Sequence, residues 1–351
     1  MKLRPSLDQL LVLAPVAIAI RLLGAPDLAI FLTSAAAIVP LAGMIGRATE
    51  QLALHMGSRI GGLVNATFGN VTELIIAVFL ILDDRIEIVK ASLTGSILGN
   101  LLLVLGLSLF VGGVKHERQA FNARSASVHA TSLALAVTGL LMPALFSLGT
   151  HATFAQREIV SAVIAGVLIL LYVAALVFTL VTHEHLFRTP DEGETPAWSR
   201  RRAIVVLLLT TAFVALMSES LVSSLEPALE SLGLSELFVG LILIPVIGNA
   251  AEHSSAVMFA LRNKVDITLE IAIGSSTQIA LFVAPVLVFI SLAVGHPMDF
   301  VFSTFEVAAV ASSALLMTLI SLDGESNWLE GAQLVGAYVI MAISFFFVEH
   351  L

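Results

Sequence analysis

Long apolar runs broken by short polar punctuation dominate this chain. With Gly, Pro and charge clusters as boundaries, the apolar positions fall into eleven segments: Leu7–Leu23, Leu28–Thr49, Gly61–Leu82, Ile86–Val111, Ser125–Phe146, Arg157–Thr182, Ala203–Ser224, Leu232–Leu261, Ile267–Leu292, Phe300–Leu322 and Trp328–Glu349. Each is read as a helix, because a helix satisfies its own backbone polar groups in lipid and the segments are too long for barrel strands. The expected fold is all-α, a polytopic membrane protein of about 11 transmembrane helices. Met1–Ala25 has the basic start and apolar run of a secretory signal. The run is long, contains Arg21 and lacks a small-x-small cleavage site, so it reads as a retained first span.

Composition agrees with that pattern. Hydrophobic residues are 58% of 351, charged residues 12%, and the mean hydropathy is +1.00; a water-solvated domain carries roughly a quarter charged residues. The net charge of −9 matters less than where each charge lies. The absence of Cys excludes disulfides, thiolate metal sites and iron–sulfur clusters. If the N-terminus is cytoplasmic, the inside segments hold 13 basic residues: Lys2, Arg4, Arg47, Arg59, Lys115, Arg118, Arg124, Arg188, Arg200, Arg201, Arg202, Arg262 and Lys264. The outside segments hold 3, namely Arg85, Lys90 and Arg157. That bias predicts a cell-membrane protein, N-terminus in and C-terminus out, in a bacterial setting the inner membrane. The one long polar stretch, His183–Arg202 with its HEH and PDEGE, reads as a solvated cytoplasmic linker, with a cation-attracting loop as the lesser reading.

Two stretches repeat at an offset of 179. Phe68-Gly69-Asn70-Val71-Thr72-Glu73-Leu74 matches Ile247-Gly248-Asn249-Ala250-Ala251-Glu252-His253, and the register continues through Gly95-Ser96 with Gly274-Ser275 and Val104 with Val283. The first copy sits in the third segment and the second in the eighth, so the expected topology inverts one half relative to the other. The division that follows is an extra N-terminal helix over 1–27, a five-helix repeat over 28–182, the loop 183–202 and a second five-helix repeat over 203–351. Inverted repeats place a substrate site at their interface near the bilayer midplane and support alternating access.

The chemistry of the motifs is all oxygen. Gly-Asn weakens a helix and frees carbonyls, which lipid tolerates only beside a polar cavity. Asn70 with Glu73, and Asn249 with Glu252, are spaced i,i+3 on one helical face. Two carboxylates, two amides and the carbonyls near Gly69 and Gly248 suit a hard divalent cation, above all Ca²⁺. A midplane carboxylate costs on the order of 3 kcal/mol, and here it occurs twice at symmetric positions. With no Lys or Arg in either motif, at least one of the pair holds a proton when metal is absent, so metal and proton occupancy oppose each other. Ser96, Asn100, Ser275 and Gln278 are the expected uncharged lining; Glu50 and Glu219 are expected at opposite entrances. His253, beside Glu252, is a candidate proton relay. Glu306 is placed on the same path, and His129 is a weaker candidate. The absence of HExxH, GxSxG and clustered His argues against an enzyme. No cofactor and no nucleic acid are called for; the partners are Ca²⁺ and H⁺ as substrates and the lipid bilayer, with a homo-oligomer left open.

Gly69-Asn70-Val71-Thr72-Glu73-Leu74-Ile75, Gly95-Ser96-Ile97-Leu98-Gly99-Asn100 and Gly248-Asn249-Ala250-Ala251-Glu252-His253 closely resemble the signature repeats of the calcium/proton antiporters, the cation-exchanger branch of the calcium/cation antiporter superfamily. Gly46-Arg47-Ala48-Thr49-Glu50 and Gly274-Ser275-Ser276-Thr277-Gln278-Ile279 resemble that family's flanking sequence. The resemblance runs from about Thr33 to the end of the chain. It implies Ca²⁺ export driven by inward proton movement, ten core helices plus one, and Glu73 and Glu252 as the exchange site. A Na⁺/Ca²⁺ exchanger, or another divalent-cation/proton antiporter of the superfamily, is the alternative.

Overall fold

The computed structural model describes residues 7–183 and 195–348. Lys2 and Arg4, residues 184–194 of the long loop with most of its HEH and all of its PDEGE, and Glu349 lie outside the described residues. A 3₁₀ turn at Leu7–Val12 leads into α1 (Leu13–Leu22). The helices that follow are α2 (Asp27–Leu54), α3 (Gly57–Phe68), α4 (Val71–Leu82), α5 (Ile86–Lys115), α6 (Ala123–Gly149) and α7 (Phe154–Thr182). Then come α8 (Arg200–Ser223), α9 (Leu225–Leu232), α10 (Glu236–Leu261), α11 (Val265–Val294), α12 (Thr304–Ile320) and α13 (Trp328–Val348). Two short strands, β1 (Gln119–Ala120) and β2 (Glu325–Ser326), pair antiparallel. The protein is an all-helical membrane protein. Among the described residues eight helices are long and apolar enough to cross a membrane: α2, α5, α6, α7, α8, α10, α11 and α13. Gln9–Leu22, α4 and α12 are apolar but shorter.

Several ends shift by up to five residues, as where α2 runs on to Leu54 and α12 starts at Thr304, and two segments differ for a visible reason. The third is split into α3 and α4, because Gly69 and Asn70 leave the helix. The eighth starts at Glu236 and not at Leu232, because Gly233 at φ +63° ends α9 in a left-handed cap that a Cβ would penalise.

The chain forms two compact units, each drawing helices from both halves of the sequence. One holds Met1–Arg85, Arg188–Glu236 and Val246–Ala251; the other holds Ile86–Phe187, Leu237–Pro245 and Glu252–Leu351. In the first unit α2 is central and packs on α1, α3, α8 and α9. Its buried face alternates bulk (Ile30, Phe31, Ile38, Leu41, Ile45) with small residues (Ser34, Ala37, Ala42, Ala48), which lets neighbouring helices approach closely. Ends of this unit are tied by polar contacts. Gln51 Oε1 accepts from the backbone N–H of Ala197 (2.7 Å) and Trp198 (3.0 Å). Arg85 bridges Glu226 and Glu236.

In the second unit α5 is the buried axis, flanked by α13 through the glycine contact of Gly106 and Gly331. At one end Lys90 Nζ donates to Asp299 Oδ1 at 2.8 Å, with both side chains at least nine-tenths buried, and Arg157 approaches the same carboxylate at 3.6 Å. At the other end the β1–β2 pair is joined by Lys115 Nζ on the Leu261 carbonyl (2.9 Å) and the Asn122 N–H on Asp266 (2.7 Å). The linkers expected on one membrane side, those after α5, α10 and α12, therefore meet at one end of this unit.

Truncating one member of a buried ion pair strands the other charge, at a cost of about 3 kcal/mol or more. Asp299→Ala is thus expected to lower the thermal midpoint in detergent clearly, while the Lys90→Met, Asp299→Leu double variant recovers most of the loss. A double variant as unstable as the single one would mean that packing, not charge, holds this end.

Candidate functional site

The first motif shapes the start of α4. Gly69 and Asn70 interrupt the chain between α3 and α4, and Asn70, 3% exposed, takes φ −98°, ψ 19° as the residue before Val71. Glu73 then lies in the first turn of α4, half-buried, at the end where unbonded N–H groups and the helix dipole favour negative charge. The second motif behaves differently from expectation. α10 runs unbroken through Gly248, Asn249 and Glu252, so no carbonyl is released there. The irregularity has moved toward the helix start: Pro245 lacks an N–H for the i−4 bond, and a widened π turn at Val239–Leu243 absorbs the mismatch just before it.

Gly248 and Glu73 meet within the first unit. A methyl group placed on Gly248 would sit 2.9 Å from Glu73 Cγ, so the glycine is the space that Glu73 occupies. Asn249, 1% exposed, follows directly on α10. Glu252, one turn farther along the same helix, belongs to the second unit.

There Glu252 heads a chain of hydrogen bonds. Ser275 on α11 bonds its carboxyl group, and Glu252 Oε2 is buried with no hydrogen-bond partner among the described residues. Asn100 Nδ2 on α5 donates to Ser275 Oγ at 3.2 Å, and Asn100 Oδ1 lies 3.2 Å from His253 Nε2. The structure thus joins Glu252, Ser275, Asn100 and His253, four of the residues expected from sequence, into one polar string through an apolar unit. Ser96 is buried on α5 one turn before Asn100, and Gln278 is half-buried on α11 one turn beyond Ser275.

The other expected residues lie apart from this string. Glu219 is held by Arg21 at 3.1 Å, so its carboxylate closes an ion pair between α8 and α1. Glu50 is exposed in the last turns of α2, which continues past it to Leu54. Glu306 is buried but committed to structure: it completes a capping box with Ser303 at the start of α12 and accepts from Thr94 Oγ1 at 3.2 Å. His129 on α6 pairs with Glu270 on α11 at 2.9 Å, and Glu270 was not among the sequence candidates.

Sequence reasoning also missed the π turns. α5 carries one at Gly99–Val104 and α11 one at Ile279–Val283, which end at equivalent positions at the offset of 179. A signal was present in the sequence: Gly99-Asn100 is a third Gly-Asn pair. π turns of this kind tend to mark functional positions.

The chain is similar to known transporters over nearly its whole length. A family profile described as "Sodium/calcium exchanger protein" matches residues 27–181 and 202–347. The chain is 49% identical to "Ca(2+)/H(+) antiporter ChaA" of Bacillus subtilis over 327 residues, which is 92% of this chain and 93% of the relative. It is 44% identical to a "Ca(2+)/H(+) antiporter" of Synechocystis, covering 96% of each chain. The solved structure of native YfkE superposes with a TM-score of 0.87 at 44% identity, over 98% of this chain and 100% of that one. The crystal structure of an H⁺/Ca²⁺ exchanger, CAX, shares the fold with a TM-score of 0.76 at 15% identity. With these matches spanning nearly its whole length, the chain belongs to the calcium/proton antiporter (cation exchanger) family.

Proposed function

We propose that this protein is a secondary active antiporter that exports Ca²⁺ in exchange for H⁺, with Glu73 and Glu252 as the carboxylates that hold cation and proton in turn. The observation that carries the reading is the seating of Glu73 on Gly248, the glycine that opens the motif containing Glu252. It brings the first motif's carboxylate onto the second motif's helix. Asn70 and Asn249 supply buried amide oxygens, the break at Gly69 adds carbonyls, and Ser275 steadies Glu252. An all-oxygen set with two acids suits Ca²⁺. Metal must displace protons from those acids to enter, which links the two occupancies oppositely. Alternating access then follows from inverted repeats, 28–182 and 203–351, exchanging conformations. The excess of basic residues in the expected inside segments supports a cytoplasmic N-terminus.

The family profile's name keeps Na⁺ as the competing counter-ion. Everted vesicles with an acid interior and no Na⁺ decide between them: rapid Ca²⁺ uptake collapsed by an ionophore for protons is expected, and uptake that requires Na⁺ overturns the reading. Ser275→Ala removes the hydroxyl that bonds Glu252 and accepts from Asn100. A hydrogen bond to a charged group is worth about 1.5 kcal/mol, so this variant is expected to raise the KM for Ca²⁺ about tenfold with unchanged thermal stability. An unchanged KM would remove Ser275 from the site.

A further inference from the structure

The Glu270–His129 pair is unexplained by the reading above, and its surroundings point along α11 toward Glu252. Glu270 lies five residues into α11, about 7.5 Å along its axis, inside a segment apolar enough to span a membrane. A carboxylate at such depth is costly and tends to be functional. Its side chain is 59% exposed, yet one oxygen is held 2.9 Å from His129 Nε2, whose side chain is 15% exposed. The helix is altered at this point: Glu270–Gly274 is a π turn, and the equivalent stretch of α5 is regular α-helix. Gly274 leaves the helix face bare, and among the described residues a Cβ placed there would meet no side chain within 4 Å other than the Glu270 carboxyl, with Oε1 at 3.7 Å. The next residue is Ser275, which bonds Glu252. Asp266, one turn before Glu270, is occupied by the Asn122 N–H.

We propose that Glu270 is a second cation station, a divalent-cation binding point between the membrane face at the α10–α11 turn and Glu252, with His129 holding the carboxylate until a cation replaces it. This rests on Glu252 being part of the exchange site. The widened turn and the bare Gly274 give an oxygen-ligated cation a path along α11 that a regular helix with a Cβ there would narrow. The elements packed on the Glu270–Gly274 turn are α6, which presents His129, and the Gly99–Val104 turn of α5, which carries no titratable side chain. A plain anchoring role, a bond that fastens α6 to α11, is the alternative that the test must separate.

Ca²⁺ uptake is measured in vesicles sorted by orientation, with Ca²⁺ offered at the face that bears the α10–α11 turn. Glu270→Gln keeps an acceptor for His129 and loses the charge, so it is expected to raise the KM from this face on the order of fivefold, about 1 kcal/mol, with kcat within about twofold. His129→Leu frees the carboxylate for the cation and is expected to lower the same KM by about threefold. Glu270→Asp stays near wild type. Opposite shifts of KM establish the station; an anchoring bond would leave Glu270→Gln near wild type while His129→Leu loses stability with no fall in KM, and that outcome overturns it. If Glu252→Gln abolishes exchange while Glu270→Gln changes nothing, the station fails and the main site stands. If Glu252→Gln leaves exchange intact, both fail.

Discussion

Glu252→Gln is expected to lower proton-driven Ca²⁺ exchange by about a hundredfold or more while leaving the fold intact. The amide has the size of the carboxyl group and still accepts from Ser275, so the string from Ser275 through Asn100 to His253 survives. What disappears is one negative charge facing a divalent cation and one position for an exchangeable proton. Loss of a charge-assisted contact in a water-poor site costs about 3 kcal/mol, which corresponds to about a hundredfold. Glu73→Gln loses the same two properties and is expected to match it. Uptake into proteoliposomes with a defined pH gradient checks both, with size-exclusion profiles to show that each variant is folded. Exchange above a tenth of wild type in either variant would remove that glutamate from the transport step.

Gly95→Ala is the largest expected effect on folding. A Cβ at Gly95 would lie 2.0 Å from the carbonyl oxygen of Leu241, in the π turn of α10. A Cβ at Gly240 in the same turn would lie 2.7 Å from Ala91 Cβ and 3.1 Å from the Ile88 carbonyl oxygen, so α5 and this part of α10 pack closely at both glycines. Neither partner is a flexible side chain that could turn aside. Overpacking a tight core costs about 1–3 kcal/mol when side chains shift, and a backbone contact stands at or above the upper end. The thermal midpoint of the detergent-solubilised protein is expected to fall steeply for Gly95→Ala. Gly99→Ala, four residues along, has nothing within 4 Å and is expected to be neutral. Equal behaviour of the two would mean that α5 and α10 yield easily at this contact.

Much of the fold was readable in the sequence because lipid leaves few options. An apolar run near 20 residues in length forms a helix, and Gly, Pro and charge mark its ends. The all-helical class followed, as did most boundaries to within a few residues. The split at Gly69-Asn70 was visible as a weakened stretch. Its failure to recur at Gly248-Asn249 was not, because the deciding feature, Pro245 with the π turn before it, lies upstream of the repeated motif. Symmetry of sequence therefore did not carry over into symmetry of backbone.

The candidate residues divide along a similar line. Asn100, Ser275, His253 and Glu252 could be picked out as polar positions in apolar helices, and the structure strings them together. Glu219 and Glu306 carried the same signal and are committed to other partners, Arg21 in one case and Ser303 with Thr94 in the other. Spacing along one helix says which residues share a face; it does not say what the neighbouring helix brings to that face. Glu270 was overlooked for the same reason, since its partner His129 is 141 residues away on α6.

The most direct test of proton-linked Ca²⁺ binding uses purified protein in weakly buffered detergent solution without any gradient. Ca²⁺ is added, and released protons are followed with a pH indicator while binding is followed by calorimetry. The predicted result is proton release in step with Ca²⁺ binding for the wild type, lost in the Glu73→Gln, Glu252→Gln double variant. Ca²⁺ binding with no proton release, or equal release from the double variant, would contradict it.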